Sequence, residues 1–80
     1  MARVHLSSTQ ARHTGGVMQL DIEAPRVKEL LGILIALYPG LDAELHDLAV
    51  AIDGEVRPDA IYEYLPPNSE VYFVPKIAGG

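Results

Sequence analysis

The chain has 80 residues, which is enough for one domain with a modest core, and its formal net charge is −5. This acidic balance argues against nucleic acid as a partner, because phosphates require a basic surface. The chain contains no cysteine, which excludes disulfides, thiolate metal sites and iron–sulfur clusters. The lack of cysteine, of a signal-peptide pattern and of a membrane-length apolar run predicts a cytoplasmic protein that does not enter a membrane.

Two segments near the N-terminus alternate between apolar and polar residues. In ARVHLSS, Val4 and Leu6 lie on the face opposite His5, as in a half-buried strand. GVMQLDIEA alternates in the same way and places three apolar side chains together: Met18, Leu20 and Ile22. The polar stretch 8–16 between the two segments predicts a mobile connection, and together they predict an antiparallel hairpin.

The segment PRVKELLGILIALYPG predicts the main helix. Its apolar residues recur every three or four positions: Val27, Leu30, Leu31, Leu34, Leu37 and Tyr38. Pro25 suits the first helical position, where a missing N–H loses no hydrogen bond, and Pro39-Gly40 ends the helix. Gly32 lowers helix stability by about 1 kcal/mol relative to alanine, and we expect it to permit a close approach to a sheet.

The second half of the chain predicts further strands around an irregular connection. LDAELHD predicts a short helical turn, and LAVAIDGEVR predicts a strand that runs into a hairpin turn at Asp53-Gly54. RPDAIYEYLPPNS is irregular because of Pro66-Pro67, and EVYFVP is the last strand. This order predicts an α+β fold of the β-grasp (ubiquitin-like) type: a mixed sheet of four to five strands with one main helix on one face. We expect the domain to span residues 1–75 and a flexible tail to span residues 76–80.

The sequence carries none of the motifs that are typical of enzyme active sites, since GxGxxG, GxxxxGK, HExxH and GxSxG are all missing. Its three histidines lie in separate segments without the spacing of metal ligands: His5, His13 and His46. We expect His5 to project from the solvent face of the first strand. The densest acidic group is a candidate docking patch for a basic partner: Asp42, Glu44 and Asp47. We therefore predict no catalytic residue and no metal site in this chain.

The sequence closes on VYFVPKIAGG, in which a diglycine follows an apolar strand and a short extended segment. A terminal carboxylate is ionised at neutral pH, so it can attack the α-phosphate of ATP and form an acyl-adenylate that is open to sulfur or nitrogen nucleophiles. Glycine leaves the reacting carbonyl uncrowded. The five residues after Pro75 reach about 17 Å when extended, which is enough to thread into a partner's buried active site. The alternative is that Gly79 and Gly80 are an ordinary frayed chain end.

These features resemble the ubiquitin-like sulfur carriers of the MoaD/ThiS type, which include the small subunit of molybdopterin synthase. The resemblance rests on EVYFVPKIAGG, on AIDGEV and on LLGILIALYPGL, and it covers the element order of the whole chain. The closing motif of the family usually has two prolines, whereas Lys76 follows Pro75 here. The resemblance implies that an E1-like enzyme uses ATP to adenylate Gly80, which is then converted to a thiocarboxylate that donates sulfur, with a molybdopterin-like pathway favoured. It implies no cofactor bound by the carrier itself.

The resemblance also implies roles for residues of the tail and the sheet. Gly80 is the attachment position, and the segment before it threads into the partner: Lys76, Ile77, Ala78 and Gly79. Strand alternation predicts that Val71 and Phe73 join the core, which leaves a face where ubiquitin-like proteins commonly engage partners. That face carries Tyr72 and Val74. The implied partners are an E1-like adenylyltransferase and a sulfur-accepting synthase large subunit or its equivalent.

Two alternatives stay open on the sequence. In the first, the protein is a ubiquitin-like modifier that is conjugated to target lysines through Gly80. In the second, it is a non-covalent interaction module on a β-grasp scaffold, for example in virion tail assembly, and the diglycine is incidental.

Overall fold

The computed structural model of the protein describes residues 1–57 and 59–76. Its strands are β1 (Ala2–His5), β2 (Gln19–Ile22), β3 (Leu48–Ile52), β4 (Glu55–Arg57) and β5 (Glu70–Pro75). Its α-helices are α1 (Val27–Leu37) and α2 (Leu41–Leu45), and two 3-10 turns span Gln10–Thr14 and Ala60–Tyr62. Within these residues the five strands form one mixed sheet in the order β2-β1-β5-β3-β4.

Strand β5 occupies the centre of the sheet. It runs parallel to β1 and antiparallel to β3, while β1–β2 and β3–β4 are antiparallel hairpins. The turn between β3 and β4 has positive φ angles of 51° at Asp53 and 86° at Gly54, as a type I′ turn requires. Met18 precedes β2 and is exposed, whereas Ile22 is buried as predicted. Both predicted hairpins and the single mixed sheet are confirmed.

One face of the sheet packs against α1 and forms the core. Val27, Leu30 and Leu34 of α1 are fully buried there. The strand side chains of the same cluster include Val4, Ile22, Val50, Ile52, Val71 and Phe73. Leu37, which is predicted in the apolar stripe, is 58% exposed instead. Helix α1 ends at this residue, and the buried Leu41 of α2 joins the core in its place.

The start of α1 differs from the prediction. Pro25 is predicted at the first helical position, but α1 begins at Val27, and Arg26 before it is extended with φ −138° and ψ 164°. Arg26 forms a β-bridge with Tyr64, and the Leu65 N–H donates to the Pro25 carbonyl at 2.9 Å. The hydrogen bond from the Arg26 guanidinium to the Tyr64 hydroxyl also raises the pKa of Arg26. The contacts with the irregular connection therefore keep Pro25 and Arg26 outside the helix.

Gly32 does not make the predicted close approach to the sheet. It lies on the exposed side of α1, and a Cβ built at this position meets nothing within 4 Å. Within the described residues this glycine lowers helix propensity without a packing contact that compensates.

The stretch 8–16 is more structured than predicted. Residues Gln10–Thr14 form a 3-10 turn in which Gln10, Ala11 and Thr14 are buried. The Thr14 hydroxyl lies 2.7 Å from the Val17 carbonyl and 3.1 Å from the Ala11 carbonyl, so it bonds to the backbone of the turn and of the residues that follow it. Hydrophobic patterning does not detect this local structure because side-chain hydrogen bonds of Gln10 and Thr14 to the backbone help to form it.

Candidate docking face and tail base

The end of β5 brings the chain to the predicted tail. Strand β5 ends at Pro75, and Lys76 is exposed and outside any regular element. The predicted attachment residue Gly80 lies outside the described residues, as do three of the predicted threading residues: Ile77, Ala78 and Gly79. Their roles, and the boundary between domain and tail at residues 75 and 76, stay predictions.

Backbone direction explains why β5 can end on a proline. From Ser69 onward, odd-numbered residues point their backbone groups toward β1, as the 2.8 Å hydrogen bond from the Arg3 N–H to the Ser69 carbonyl illustrates. The register between β1 and β5 ends at Tyr72. Pro75 is odd-numbered, so its missing N–H lies on the β1 side beyond the last pair of that register. Proline is tolerated at such an edge position because no ladder hydrogen bond is lost there.

The open face of the sheet, opposite α1, carries Tyr72 and Val74 as the alternation predicts. Tyr72 is 42% exposed, and Val74 is half-buried. The antiparallel register pairs Tyr72 with Ala51 and Val74 with Ala49 on β3, and it pairs Ala51 with Val56 on β4. The small alanines leave the aromatic ring and the two valines raised above the sheet, so these residues form an apolar patch. Its docking role stays a prediction.

His5 extends the apolar patch onto β1. The parallel register pairs His5 with Tyr72, and their rings stack with centroids 4.4 Å apart and planes inclined by 7°. The imidazole Nε2 also lies 3.1 Å from Glu70 Oε1. His5 is on the solvent face as predicted, but the sequence analysis missed its stack with Tyr72. The signal that would have found it is the pairing of the first strand with the last, which no single strand pattern contains.

Beyond His5 the open face becomes polar and mixed in charge. Arg3 Nε lies 3.3 Å from Asp21 Oδ1, and the N-terminal amino group lies 3.6 Å from Glu23 Oε2. Exposed ion pairs of this kind contribute only about 0–1 kcal/mol to folding. The open face therefore has an apolar half on β3, β4 and β5 and a charged half on β1 and β2.

A groove of about 1100 Å³ lies beside Pro75 and Lys76, where the predicted tail begins. Residues of α1, α2, β3 and the end of β5 line it, among them Leu31, Leu48 and Phe73. Lys76 and Asp42 line it as well, so the groove extends from the point where the tail begins to one member of the predicted acidic patch.

The predicted acidic patch lies on and directly after α2. Asp42 and Glu44 belong to the first turn of this helix, and Asp47 follows it. Glu44 Oε2 lies 3.6 Å from His13 Nε2, and a Cβ built at Gly40 would come within 2.8 Å of His13 Nδ1. The histidine therefore lies against α2, between Gly40 and Glu44. The docking role of the acidic patch stays a prediction.

Residues 1–57 and 59–76 contain no group of three His, Cys, Asp or Glu side chains that is arranged to hold a metal ion. No helix in the same ranges combines the length and the apolar character that crossing a membrane requires.

The chain matches no protein-family model and no curated protein. Solved structures are similar to it. A chain of the Amycolatopsis orientalis BexX/CysO complex has 18% identity and a TM-score of 0.85, with 100% of both chains covered. CysO from Mycobacterium tuberculosis has 16% identity and a TM-score of 0.83 over 96% of this chain and 100% of that one. SAMP1 from Haloferax volcanii has 20% identity and a TM-score of 0.71 over 99% and 98%.

Likenesses at these identities establish the fold. The mixed five-stranded sheet with one main helix across one face is the arrangement that these proteins share with this chain. The predicted fold class is confirmed, and the resemblance that accompanied it holds at the level of the fold: the chain has the β-grasp, ubiquitin-like fold of CysO and SAMP1.

Proposed function

We propose that this protein is a sulfur carrier, a small co-substrate whose Gly80 carboxyl group is adenylated and then converted to a thiocarboxylate. The observation that carries the proposal is the full-length likeness in fold to CysO and SAMP1, which are sulfur carriers or ubiquitin-like modifiers. In this role the chain is not an enzyme and binds no cofactor, because the activating partner consumes the ATP.

The chemistry needs one carboxylate and two partners. The Gly80 carboxylate attacks the α-phosphate of ATP and displaces pyrophosphate, which leaves an acyl-adenylate. A hydrosulfide equivalent then attacks the carbonyl and displaces AMP, so that one carboxyl oxygen is replaced by sulfur. Glycine suits both steps, since no side chain crowds either the phosphate or the incoming nucleophile.

The described residues include the strand from which the tail leaves the domain and, on the same strand, part of the open face. Strand β5 is held in the middle of the sheet as far as Tyr72 and by β3 as far as Pro75. From Pro75, five extended residues reach about 17 Å, so the terminus can enter a closed active site while the domain stays outside. Tyr72 and Val74 stand on the same strand, and we assign them to the docking contact.

The partners follow from the two chemical steps. CysO forms a complex with BexX in a similar structure, which supports a partner enzyme in general. For this chain we propose an E1-like adenylyltransferase as the activating enzyme and a synthase large subunit, or its equivalent, as the sulfur acceptor. We further propose that both meet it in the cytoplasm and that the accepted sulfur enters a molybdopterin-like pathway.

Intact-mass analysis tests the reaction at Gly80. The protein is incubated with its activating enzyme, ATP and a sulfide source, and the mass is expected to rise by one oxygen-to-sulfur exchange located at Gly80. A variant that lacks Gly80 should keep its fold and show no exchange. An unchanged mass in the wild-type reaction, or an equal shift in the truncated variant, would falsify the assignment.

A ubiquitin-like modifier is the second candidate, because a similar structure from Haloferax volcanii is that of small archaeal modifier protein 1, with 19% identity and a TM-score of 0.72. The activation step is the same, but a lysine amine displaces AMP and forms an isopeptide bond. Mass spectrometry of proteins from the native host distinguishes the two. Gly80 joined to lysine side chains indicates a modifier, and a Gly80 thiocarboxylate without such adducts indicates a carrier.

A further inference from the structure

A buried glutamine contacts the last strand shortly before the predicted tail begins. Gln10 is only 5% exposed, and its side chain uses both ends of the amide. The Ser7 N–H donates to Gln10 Oε1 at 3.0 Å, and the Gln10 N–H donates to Ser7 Oγ at 3.2 Å. This reciprocal pair has the hydrogen-bond pattern of a capping box, and it sets the position of the glutamine side chain.

The other end of the same amide reaches across to β5. Gln10 Nε2 donates to the Phe73 carbonyl at 3.1 Å, and this contact is buried. Phe73 is odd-numbered, so its carbonyl points toward β1, whose register with β5 has already ended at Tyr72. Continuation of the parallel pattern, in which the Arg3 N–H donates to the Ser69 carbonyl, would bring the Ser7 N–H to the Phe73 carbonyl, but the Ser7 N–H donates to Gln10 Oε1 instead. Gln10 therefore satisfies the acceptor that β1 leaves open.

The geometry points to Gln10 as a positioning residue for the tail. It replaces the strand that β5 loses on one side, and so it holds the last paired residues in line until the chain leaves the sheet at Lys76. This inference rests on the proposed function for its purpose, because a directed tail is useful only if Gly80 must reach a partner's active site. Its structural content stands on the hydrogen bonds alone.

The amide is the group that this position requires. One oxygen accepts from the Ser7 N–H while one NH₂ donates to the Phe73 carbonyl, and among the uncharged side chains only Gln and Asn carry both groups. Asparagine is shorter by one methylene. An ionised glutamate keeps the acceptor but offers no donor, so it would set a carboxylate oxygen against a buried carbonyl. Protonation of that carboxyl restores one donor.

Loss of the hydrogen bond from Gln10 to the Phe73 carbonyl would leave the end of β5 with fewer backbone contacts. Beyond Tyr72, β5 pairs only with β3, through Phe73–Val50, Val74–Ala49 and Pro75–Leu48. Without the bond from Gln10, this segment is hydrogen-bonded on its β3 side only. The flexible part of the chain would then begin before Lys76, closer to Tyr72. A longer free segment lowers the effective concentration of the terminus in the partner's site.

Backbone dynamics of Gln10→Glu test the inference, with Thr14→Val as the matched control. Thr14 is buried in the same turn, and its hydroxyl bonds to the carbonyls of Ala11 and Val17 and not to β5. At neutral pH we expect the ¹⁵N order parameters of Val74 and Lys76 to fall below about 0.6 in Gln10→Glu and to remain near those of the wild type in Thr14→Val. As the pH is lowered and the introduced carboxyl is protonated, the order should return. If Gln10→Glu does not fold, Gln10→Met, which is uncharged and similar in length, takes its place without the pH arm.

Kinetics with the activating enzyme separate the inference from the proposed function. ATP–pyrophosphate exchange should show a roughly tenfold lower kcat for the Gln10 variant and a nearly unchanged KM, since the docking face is intact while the terminus is misplaced. Order parameters that fall equally in both variants, or in neither, overturn the role of Gln10 whatever the enzyme does. No exchange by the wild-type protein contradicts the proposed function and leaves the dynamics result standing.

Discussion

The imidazole of His5 stacks on the phenol ring of Tyr72, with ring centroids 4.4 Å apart and an interplanar angle of 7°. The two residues are 67 positions apart in the chain and are brought together by the parallel pairing of the first strand with the last. A second contact, between His5 Nε2 and Glu70 Oε1 at 3.1 Å, fixes the plane of the imidazole. Tyr72 is thus a preordered aromatic surface, and ordering it costs a partner little side-chain entropy.

Replacement of Tyr72 by alanine should weaken binding to the activating enzyme. A preordered aromatic residue at the centre of an apolar patch has the character of a hot spot, so we expect a loss of about 2 kcal/mol, or roughly thirtyfold in Kd by titration calorimetry. Tyr62→Ala is the matched control, because Tyr62 is 73% exposed but belongs to the 3-10 turn at Ala60–Tyr62, outside the open face. Equal losses in both variants would contradict a docking role for the open face.

Gly32→Ala should stabilise the fold. The position is helical, exposed and free of neighbours within 4 Å of a built Cβ, so alanine gains helix propensity without a clash. We expect the free energy of unfolding in urea to rise by about 0.5–1 kcal/mol. Gly54→Ala is the opposite case, since the φ angle of 86° in the β3–β4 turn strains any side chain and should lower stability. A loss of stability in Gly32→Ala would show that this helix position is constrained by something other than propensity.

Ser69→Ala should also stabilise the protein. The residue is 1% exposed, and its hydroxyl oxygen has no hydrogen-bond partner among the described residues. Removing an unsatisfied buried hydroxyl should raise the free energy of unfolding by about 1 kcal/mol in urea titrations. Thr14→Ala provides the contrast, because its buried hydroxyl is within hydrogen-bond distance of two carbonyls and its removal should be destabilising. Destabilisation by Ser69→Ala as well would mean that this hydroxyl is satisfied in solution.

Leu34→Ala should be among the most damaging changes in α1. This side chain is fully buried between the helix and the sheet, and its removal leaves a cavity that should lower the free energy of unfolding by about 2–5 kcal/mol. Leu37→Ala, one turn later, should change stability by no more than about 0.5 kcal/mol because Leu37 is exposed. Chemical denaturation measures both. A large loss in Leu37→Ala would indicate that this leucine is covered in solution, for example by a second copy of the chain.

The elements that sequence reasoning predicted correctly are those with a local physical cause. The alternation around Val4 and Val71, the helical spacing of Leu30 and Leu34, and the turn at Asp53-Gly54 each depend on residues a few positions apart. Their periodicity determines which side chains face the core, so the structure reproduces them. The predicted helix start at Pro25 was wrong because its cause is not local. It is a bridge between Arg26 and Tyr64, which are 38 residues apart.

The features of the candidate site also separate into those with a local cause and those that depend on contacts between distant segments. The placement of Tyr72 and Val74 on the open face follows from alternation within one strand, and the sequence alone determined it, together with the β-grasp class. Only the tertiary structure decided that His5 stacks on Tyr72 and that Gln10 bonds to the Phe73 carbonyl. Local patterns specify faces and turns, whereas the identity of a neighbour across the sheet depends on strand order and on side-chain hydrogen bonds, which form only when distant segments meet.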